Sequence, residues 1–325
     1  MDLSIVIPMF NEAENAESTL NRVEEVLASF TGTYEVIVVN DGSLDNTLEV
    51  LNRLAEQDRK LEIVSYAKNV GRGMALRKGF KESSGEIVVS IDADLSYSPQ
   101  YILDLVGALR REPELDLVLA SPYMPGGGVK NVPALRLCVS KLGNRILRLV
   151  MPNRIYTSTG IFRAYRKKVL DSLELESDGK EIHLEILSKA LALGYRVKEI
   201  PAILTGRKKG RSKFKFRKTT ATHLAFSVFE KPMIIFGFLG LLTLGIGFLI
   251  GIYIAYLRFL GELTPGRPLI TLALLLILGG IQILSFGFIA LQIVSLRREI
   301  LRIQKENLEL RNEIRKPGSQ EKDQR

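Results

Sequence analysis

The sequence predicts an α/β protein with a mostly parallel sheet, followed by two membrane-spanning helices. Three observations carry that expectation. Apolar runs of strand length alternate with amphipathic segments through residues 1–205, a succession that builds a parallel sheet covered by helices. Polar residues cluster just past the first, second and fourth runs, where open α/β sheets bind their ligands. Residues 232–257 and 268–296 hold no charged side chain, and each exceeds the ~20 residues a helix needs to cross a bilayer.

In chain order, the strand-like runs are "LSIVIPMF", "YEVIVVND", "LEIVSYA", "EIVVSIDAD" and "LDLVLASP", with helical patterns at 13–29 and 44–58 between them. Asn11 and Glu12 follow the first run, Asn40 and Asp41 the second, and Asp92 and Asp94 the fourth. The composition, with 46% hydrophobic residues and a formal charge of +9, excludes a disordered or collagen-like chain. The glycines at 71, 73 and 79 have the wrong spacing for a dinucleotide fingerprint, and no phosphate-binding P-loop is present. A nicotinamide enzyme and an ATPase are therefore disfavoured. Cys138 is the only cysteine, which excludes an intrachain disulfide and a cysteine zinc cluster, and His183 and His223 lack metal-ligand spacing.

The second half divides by charge. The expected boundaries are an α/β domain at 1–213, a juxtamembrane amphipathic helix at 214–231, spans at 232–257 and 268–296 with a connector at 258–267, a helix at 297–316 and a disordered tail at 317–325. Ala221, Leu224, Ala225, Val228 and Phe229 share one helical face beside eight basic residues between 207 and 218, the pattern of a helix lying in the headgroup layer. No signal-peptide pattern opens the sequence. With Arg297, Arg298 and Arg302 after the second span, the positive-inside rule puts the α/β domain and both termini in the cytoplasm and the connector outside. The basic cluster lacks an aromatic-basic recognition motif, so the expected partner is the lipid bilayer and not nucleic acid. Gly247 and Gly251 form a small-xxx-small pair suited to close helix packing. Leu296, Ile300, Ile303, Asn307, Leu310 and Ile314 make a short heptad seam, from which a homo-oligomer through the membrane helices and residues 297–316 is expected. Crosslinking in mild detergent should give a dimer or larger species that is lost on deleting residues 297–325; only monomer in both forms would count against the seam.

The pair Asp92 and Asp94 raises the chemical question, because two carboxylates at that spacing repel unless a cation or water compensates them. Hard carboxylate oxygens suit Mg²⁺ or Mn²⁺, which complete their shells with water and substrate phosphates. Such an ion would offset the repulsion and neutralise a leaving diphosphate; the alternative is a solvated strand end.

The stretches "IVIPMFNEAEN", "VIVVNDGSLDNT", "NVGRGMALRKGF" and "IVVSIDADLS" resemble, in order and spacing, family-2 glycosyltransferases of the GT-A fold. "ASPYMPGGG", "LRLCVSKLGN", "FRAYRKKVL", "GYRVKEIP" and "GRKKGRSKF" look like the polyprenyl-phosphate hexose synthases within that family. The resemblance implies a nucleotide-sugar site of Pro8, Asn11, Glu12, Asp41, Arg72, Asp92, Asp94 and Ser212, with a metal at Asp92 and Asp94. It implies catalytic roles for Asp94, Arg207 and Lys213, and an acceptor-phosphate site at Arg136 and Ser140. Asn40, Ser96 and Pro122 depart from the family pattern, where aspartate, glutamine and arginine are common. The implied reaction is inverting transfer of a hexose from a GDP-mannose- or UDP-glucose-type donor to a dolichyl or undecaprenyl phosphate. The alternatives are a different lipid-linked glycan as acceptor, or an inactive sugar-nucleotide-binding scaffold. A processive polysaccharide synthase is disfavoured because the chain has no tryptophan for the Gln-x-x-Arg-Trp motif.

Overall fold

The computed structural model describes residues 1–325 apart from 59, 134–136, 138–139, 142–143, 145–154, 207–231, 262–267 and 316–325. The expected juxtamembrane helix at 214–231, the tail at 317–325 and most of the connector lie outside the described residues. The chain forms two units, Met1–Thr219 with Gln304–Arg325, and Thr220–Ile303.

In the first unit a seven-stranded sheet has the order β3-β2-β1-β4-β7-β5-β8. Its strands are β1 (Leu3–Met9), β2 (Tyr34–Asp41), β3 (Leu61–Tyr66), β4 (Ile87–Ser90), β5 (Leu117–Ser121), β7 (Arg163–Arg166) and β8 (Val197–Pro201). Helices α1 (Ala13–Leu27), α2 (Thr47–Ala55), α3 (Arg72–Glu82), α4 (Tyr101–Arg111), α5 (Lys167–Ser172) and α6 (Ile182–Ala192) connect and cover them. A parallel pair, β6 (Gly128–Lys130) and β9 (Ile203–Thr205), stands beside the main sheet. The fold class is the one predicted, a mostly parallel sheet. β7 pairs antiparallel with both β4 and β5, while β3, β2, β1 and β4 run parallel.

The continuous apolar runs follow from burial on both faces. Val36, Ile37, Val38 and Val39 are all essentially inaccessible, although successive side chains point to opposite sides of the sheet. α1 buries Ala16, Leu20, Val23 and Leu27, spaced four, three and four, and leaves Glu17 and Arg22 in solvent. Each fully buried leucine or valine of this kind contributes roughly 1.5–3 kcal/mol of transfer free energy. Pro8, which has no N–H for a ladder, sits beyond the last β1–β4 pair, Val6 with Ser90. The central strands therefore end together, and the segments leaving them form the rim of one cleft.

The second unit contains α7 (Pro232–Phe259) and the first part of α8 (Pro268–Arg315). Both are long and apolar enough to cross a membrane, and only 17% and 11% of their most apolar windows is buried. Phe238 is 71% exposed and Leu249 68%, which suits lipid contact and not the core of a soluble domain. One boundary differs from expectation, while the second apolar span, Pro268–Leu296, has the expected bounds. α7 runs two residues past 257, and α8 is continuous through the two segments expected at 268–296 and 297–316. No glycine or proline occurs between Gly287 and Pro317, so nothing breaks the helix there. The close approach of the two helices also differs in detail. A Cβ on Gly240 would lie 2.7 Å from Leu284 Cγ, and one on Gly247 2.9 Å from Ile277 Cγ1. Gly251 meets nothing within 4 Å, so the packing glycines are Gly240, Gly247 and Gly280, not Gly247 with Gly251.

Candidate active site

A cleft of about 420 Å³ opens at the carboxyl ends of β1, β2 and β4. Pro8 and Glu12 line it from the end of β1. Glu12 is fixed at the start of α1, where its N–H donates to Thr47 Oγ1 at 2.9 Å and its Oε2 accepts from Asn15 Nδ2 at 2.6 Å. Asn11 does not line the cleft. Its backbone has φ 51°, its N–H donates to Ser43 Oγ, and its Oδ1 accepts from Leu44 N at 2.7 Å. The side chain thus holds the loop after β2.

Asp41, the last residue of β2, faces the cleft and a set of donors. Its Oδ1 accepts from Tyr66 Oη at 2.9 Å, Val70 N at 2.9 Å and Gly71 N at 3.2 Å, and its Oδ2 accepts from Asn69 Nδ2 at 2.7 Å. Burial, with the hydrogen bond to Asp41 and its charge, pushes the Tyr66 phenol far above its ordinary range, so it remains a donor. Asp41 therefore clamps the turn that enters α3. Asn40, one of the departures from the family pattern, is 2% exposed and is not among the residues lining the cleft. It donates to Ser65 Oγ at 3.0 Å and accepts from Ser43 N at 3.2 Å. An amide serves both directions, whereas a carboxylate would only accept.

The β4 ladder stops at Ser90, and the chain turns through Asp92 and Asp94 into the cleft. Leu95 takes the left-handed φ of 47°, and Ser96 donates to Asp94 Oδ1 from its N–H at 3.0 Å and its hydroxyl at 2.5 Å. The serine at 96, another departure, thereby orients the Asp94 carboxylate. Arg72, the first residue of α3, places its guanidinium 2.9 Å from Asp92 Oδ1. The turn before it needs two glycines. A Cβ on Gly71, at φ 135°, would lie 2.4 Å from Asp178 O, and one on Gly73 2.2 Å from Ser177 O. In return Asp178 O accepts from Gly73 N at 2.7 Å, and this docking brings Lys180 to the cleft wall.

Ser140 also lines the cleft and accepts from Tyr123 Oη at 2.7 Å. Arg136, Arg207, Ser212 and Lys213 lie outside the described residues. The structure thus brings Pro8, Glu12, Asp41, Arg72, Asp92, Asp94 and Ser140 to one cleft. It adds Asn69 and Tyr123, which lie within "NVGRGMALRKGF" and "ASPYMPGGG" but had no role assigned, and Lys180, which no motif marks. Behind the wall lies His183, fully buried. Burial first, then the nearby charges of Arg163, Arg72 and Lys180, hold its imidazole well below the usual range, so it is neutral and stands apart from the cleft.

Among the described residues, no group of three or more histidine, cysteine, aspartate or glutamate side chains converges into a cage for a metal. Two aspartates on one short turn nevertheless fit Mg²⁺ or Mn²⁺, hard ions that take few protein carboxylates and complete their shell with water and phosphate oxygens.

The fold and cleft define an α/β protein that receives its ligand at the carboxyl ends of the central strands, and comparison with known proteins gives the family. The Glycosyl transferase family 2 model matches residues 4–174, and the chain belongs to that family. A dolichol-phosphate mannosyltransferase of Pyrococcus furiosus is 34% identical over 217 residues, 66% of this chain and 60% of that protein, so the match spans under two thirds of its length. An uncharacterised glycosyltransferase of Synechocystis is 30% identical over 295 residues, 89% of each chain. The polyprenol monophosphomannose synthase of Mycolicibacterium smegmatis is 32% identical over 216 residues, covering 64% of this chain and 79% of that one. Among solved structures, glucosyl-3-phosphoglycerate synthase from Mycobacterium tuberculosis, with Mn²⁺, UDP and phosphoglyceric acid, aligns with a TM-score of 0.53 at 22% identity. That alignment covers 70% of this chain and 77% of the other, and it speaks for the fold alone.

Proposed function

We propose that the protein transfers a hexose, with inversion, from a nucleotide-diphosphate sugar to a polyprenyl phosphate, giving a lipid-linked monosaccharide. The observation that carries this reading is the combination, in one family-2 chain, of an Asp92–Asp94 cleft and two helices of membrane-spanning length. The names of two relatives, a dolichol-phosphate mannosyltransferase and a polyprenol monophosphomannose synthase, support the same acceptor class.

In this reading Pro8, Glu12 and Asp41 border the nucleoside, and Arg72, Asp92 and Asp94 face the diphosphate. Arg207, Ser212 and Lys213 supply further phosphate contacts, and Arg136 with Ser140 holds the acceptor phosphate. A divalent ion, Mg²⁺ or Mn²⁺, held by Asp92 and Asp94, would neutralise charge on the departing diphosphate. The acceptor needs no strong base, because a phosphate monoester with a second pKa near ~6 is already anionic at cytoplasmic pH. The task of the side chains is to align that oxygen with the anomeric carbon and to offset the charge of the leaving group. The C–O bond to the diphosphate breaks as the bond to the acceptor phosphate oxygen forms, on the opposite face of the sugar. A site of carboxylates and cations without a participating histidine suits that chemistry, and His183 is buried away from the cleft. The basic residues on either side of the two spans support a cytoplasmic location for the family-2 domain and both termini.

The test is a screen of radiolabelled GDP- and UDP-hexoses against dolichyl and undecaprenyl phosphates with the full chain in liposomes. Label should enter the organic phase only with a polyprenyl phosphate and a divalent ion. Transfer to a lipid-linked oligosaccharide in preference to the monophosphate would move the acceptor to the alternative class. Donor hydrolysis and transfer both at background would leave only a binding scaffold.

A further inference from the structure

Arg72 and Asp92 pose a problem for the ion that Asp92 is read as holding. The guanidinium Nη2 lies 2.9 Å from Asp92 Oδ1, and the two side chains are 35% and 22% exposed. The pair is thus half-buried at the cleft wall, where solvent screens it less than at the surface. A guanidinium and a divalent cation on one carboxylate stand within about 5 Å of each other and repel unless an anion lies between them. A diphosphate is such an anion. It offers oxygens to both, and the planar guanidinium matches a phosphate edge with two parallel hydrogen bonds.

The backbone beneath Arg72 has little freedom to move the charge away. Val70 N and Gly71 N donate to Asp41 Oδ1, while Gly73 N and Met74 N donate to Asp178 O at 2.7 and 3.3 Å. Neither Gly71 nor Gly73 leaves room for a Cβ, so this turn is pressed against residues 177–179. Any change of partner at Arg72 is a rotation of its side chain about a fixed Cα. The backbone leading to Asp92 is anchored as well, since its loop follows β4 directly, with Ile91 N bonded to Val6 O at 3.1 Å.

We propose that Arg72 is the resident counterion of Asp92 and that a nucleoside diphosphate draws it away, so that ion and nucleotide bind as a coupled pair. The proposal rests on Asp92 and Asp94 being the metal pair. In the nucleotide-free protein Arg72 offsets the carboxylate charge and holds down affinity for a free divalent ion. When the diphosphate arrives, its oxygens take the guanidinium, Asp92 becomes available, and each ligand raises the affinity of the other by the same factor. The device biases the site towards the complete donor complex and against idle metal binding. It makes Arg72 a regulator of the metal pair in addition to a phosphate contact.

The experiment is Mn²⁺ binding to the full chain in detergent, followed through the electron paramagnetic resonance of the free ion, alone and with UDP or GDP. Wild type, Arg72→Gln, Arg72→Lys and Asp94→Asn are compared. Loss of the positive charge in Arg72→Gln should tighten binding of Mn²⁺ alone by about tenfold, and Arg72→Lys should stay near wild type. The factor by which nucleotide tightens Mn²⁺ binding should be larger in wild type than in Arg72→Gln. Equal or weaker binding of Mn²⁺ alone by Arg72→Gln, or an equal nucleotide factor in both, overturns the proposal while the metal pair stands. If wild type with either nucleotide shows no Mn²⁺ binding that Asp94→Asn removes, the metal pair itself is wrong and the proposal falls with it.

Discussion

Asp94→Ala is expected to lower hexosyl transfer by at least about a thousandfold, a loss of roughly 4 kcal/mol of transition-state stabilisation. The expectation follows from where the residue sits. Asp94 lies on the turn after β4, lines the cleft, and has its Oδ1 oriented by the N–H and hydroxyl of Ser96. Those two hydrogen bonds span two residues of a local turn and hold no strand of the sheet. Their loss should cost about 1 kcal/mol of stability, too little to unfold the domain. Asp94→Asn separates charge from geometry, because the amide oxygen can still accept from Ser96 while the negative charge is gone. It should be nearly as inactive as the alanine variant and melt with wild type. Transfer is read as radiolabel in the organic phase, under single-turnover conditions so that product release does not mask the chemical step. Activity in Asp94→Asn within about tenfold of wild type would mean that charge at this position is not what the reaction needs.

The same turn shows what makes a site legible in sequence. Pro8, Glu12, Asp41, Asp92 and Asp94 lie at or just past the ends of apolar runs that must form one edge of a parallel sheet, so their order along the chain locates them in space. The runs themselves were readable because β1, β2, β4 and β5 are buried on both faces and admit little but valine, isoleucine and leucine. β7 escaped for the converse reason. Its four residues, "RAYR", open and close on arginines, and no periodicity separates a fully buried cation from a solvated one. Lys180 and Asn69 escaped because loop contacts bring them to the cleft. Lys180 arrives through the bonds from Asp178 O to the start of α3, and Asn69 through its hydrogen bond to Asp41. Nothing local in "SDGKE" encodes that docking. The continuity of α8 was legible in principle, since no helix breaker occurs before Pro317; the change from apolar to charged composition near 297 marks a change of surroundings, not of secondary structure.

Arg163 is the position where substitution should cost most stability. It is 0% exposed and opens β7, between β4 and β5. Its guanidinium donates to three backbone carbonyls, from Nε to Gly160 O at 2.7 Å, from Nη1 to His183 O at 2.8 Å and from Nη2 to Ser158 O at 2.7 Å. Burial lowers the Arg163 pKa, but a guanidinium keeps its proton in proteins, and the carbonyl dipoles stand in for a counter-anion. Replacing a whole buried ion pair by apolar groups is often neutral, because both desolvation costs disappear together. Here only the cation can be replaced. Arg163→Met relieves the cost of burying one charge but leaves three carbonyls buried without donors, each worth about 1–3 kcal/mol. A net loss of about 3–5 kcal/mol is expected, lowering the melting temperature of a domain this size by roughly 10 °C. Arg163→Lys should fall between, since one ammonium cannot span three carbonyls that a planar fork reaches together. The chain has ten tyrosines and no tryptophan, and eight of the tyrosines precede residue 207, so tyrosine fluorescence follows this domain in the detergent-solubilised protein. Melting of Arg163→Met within about 2 °C of wild type would show that the three carbonyls find other donors and that the guanidinium is not what joins the 158–160 loop to α6.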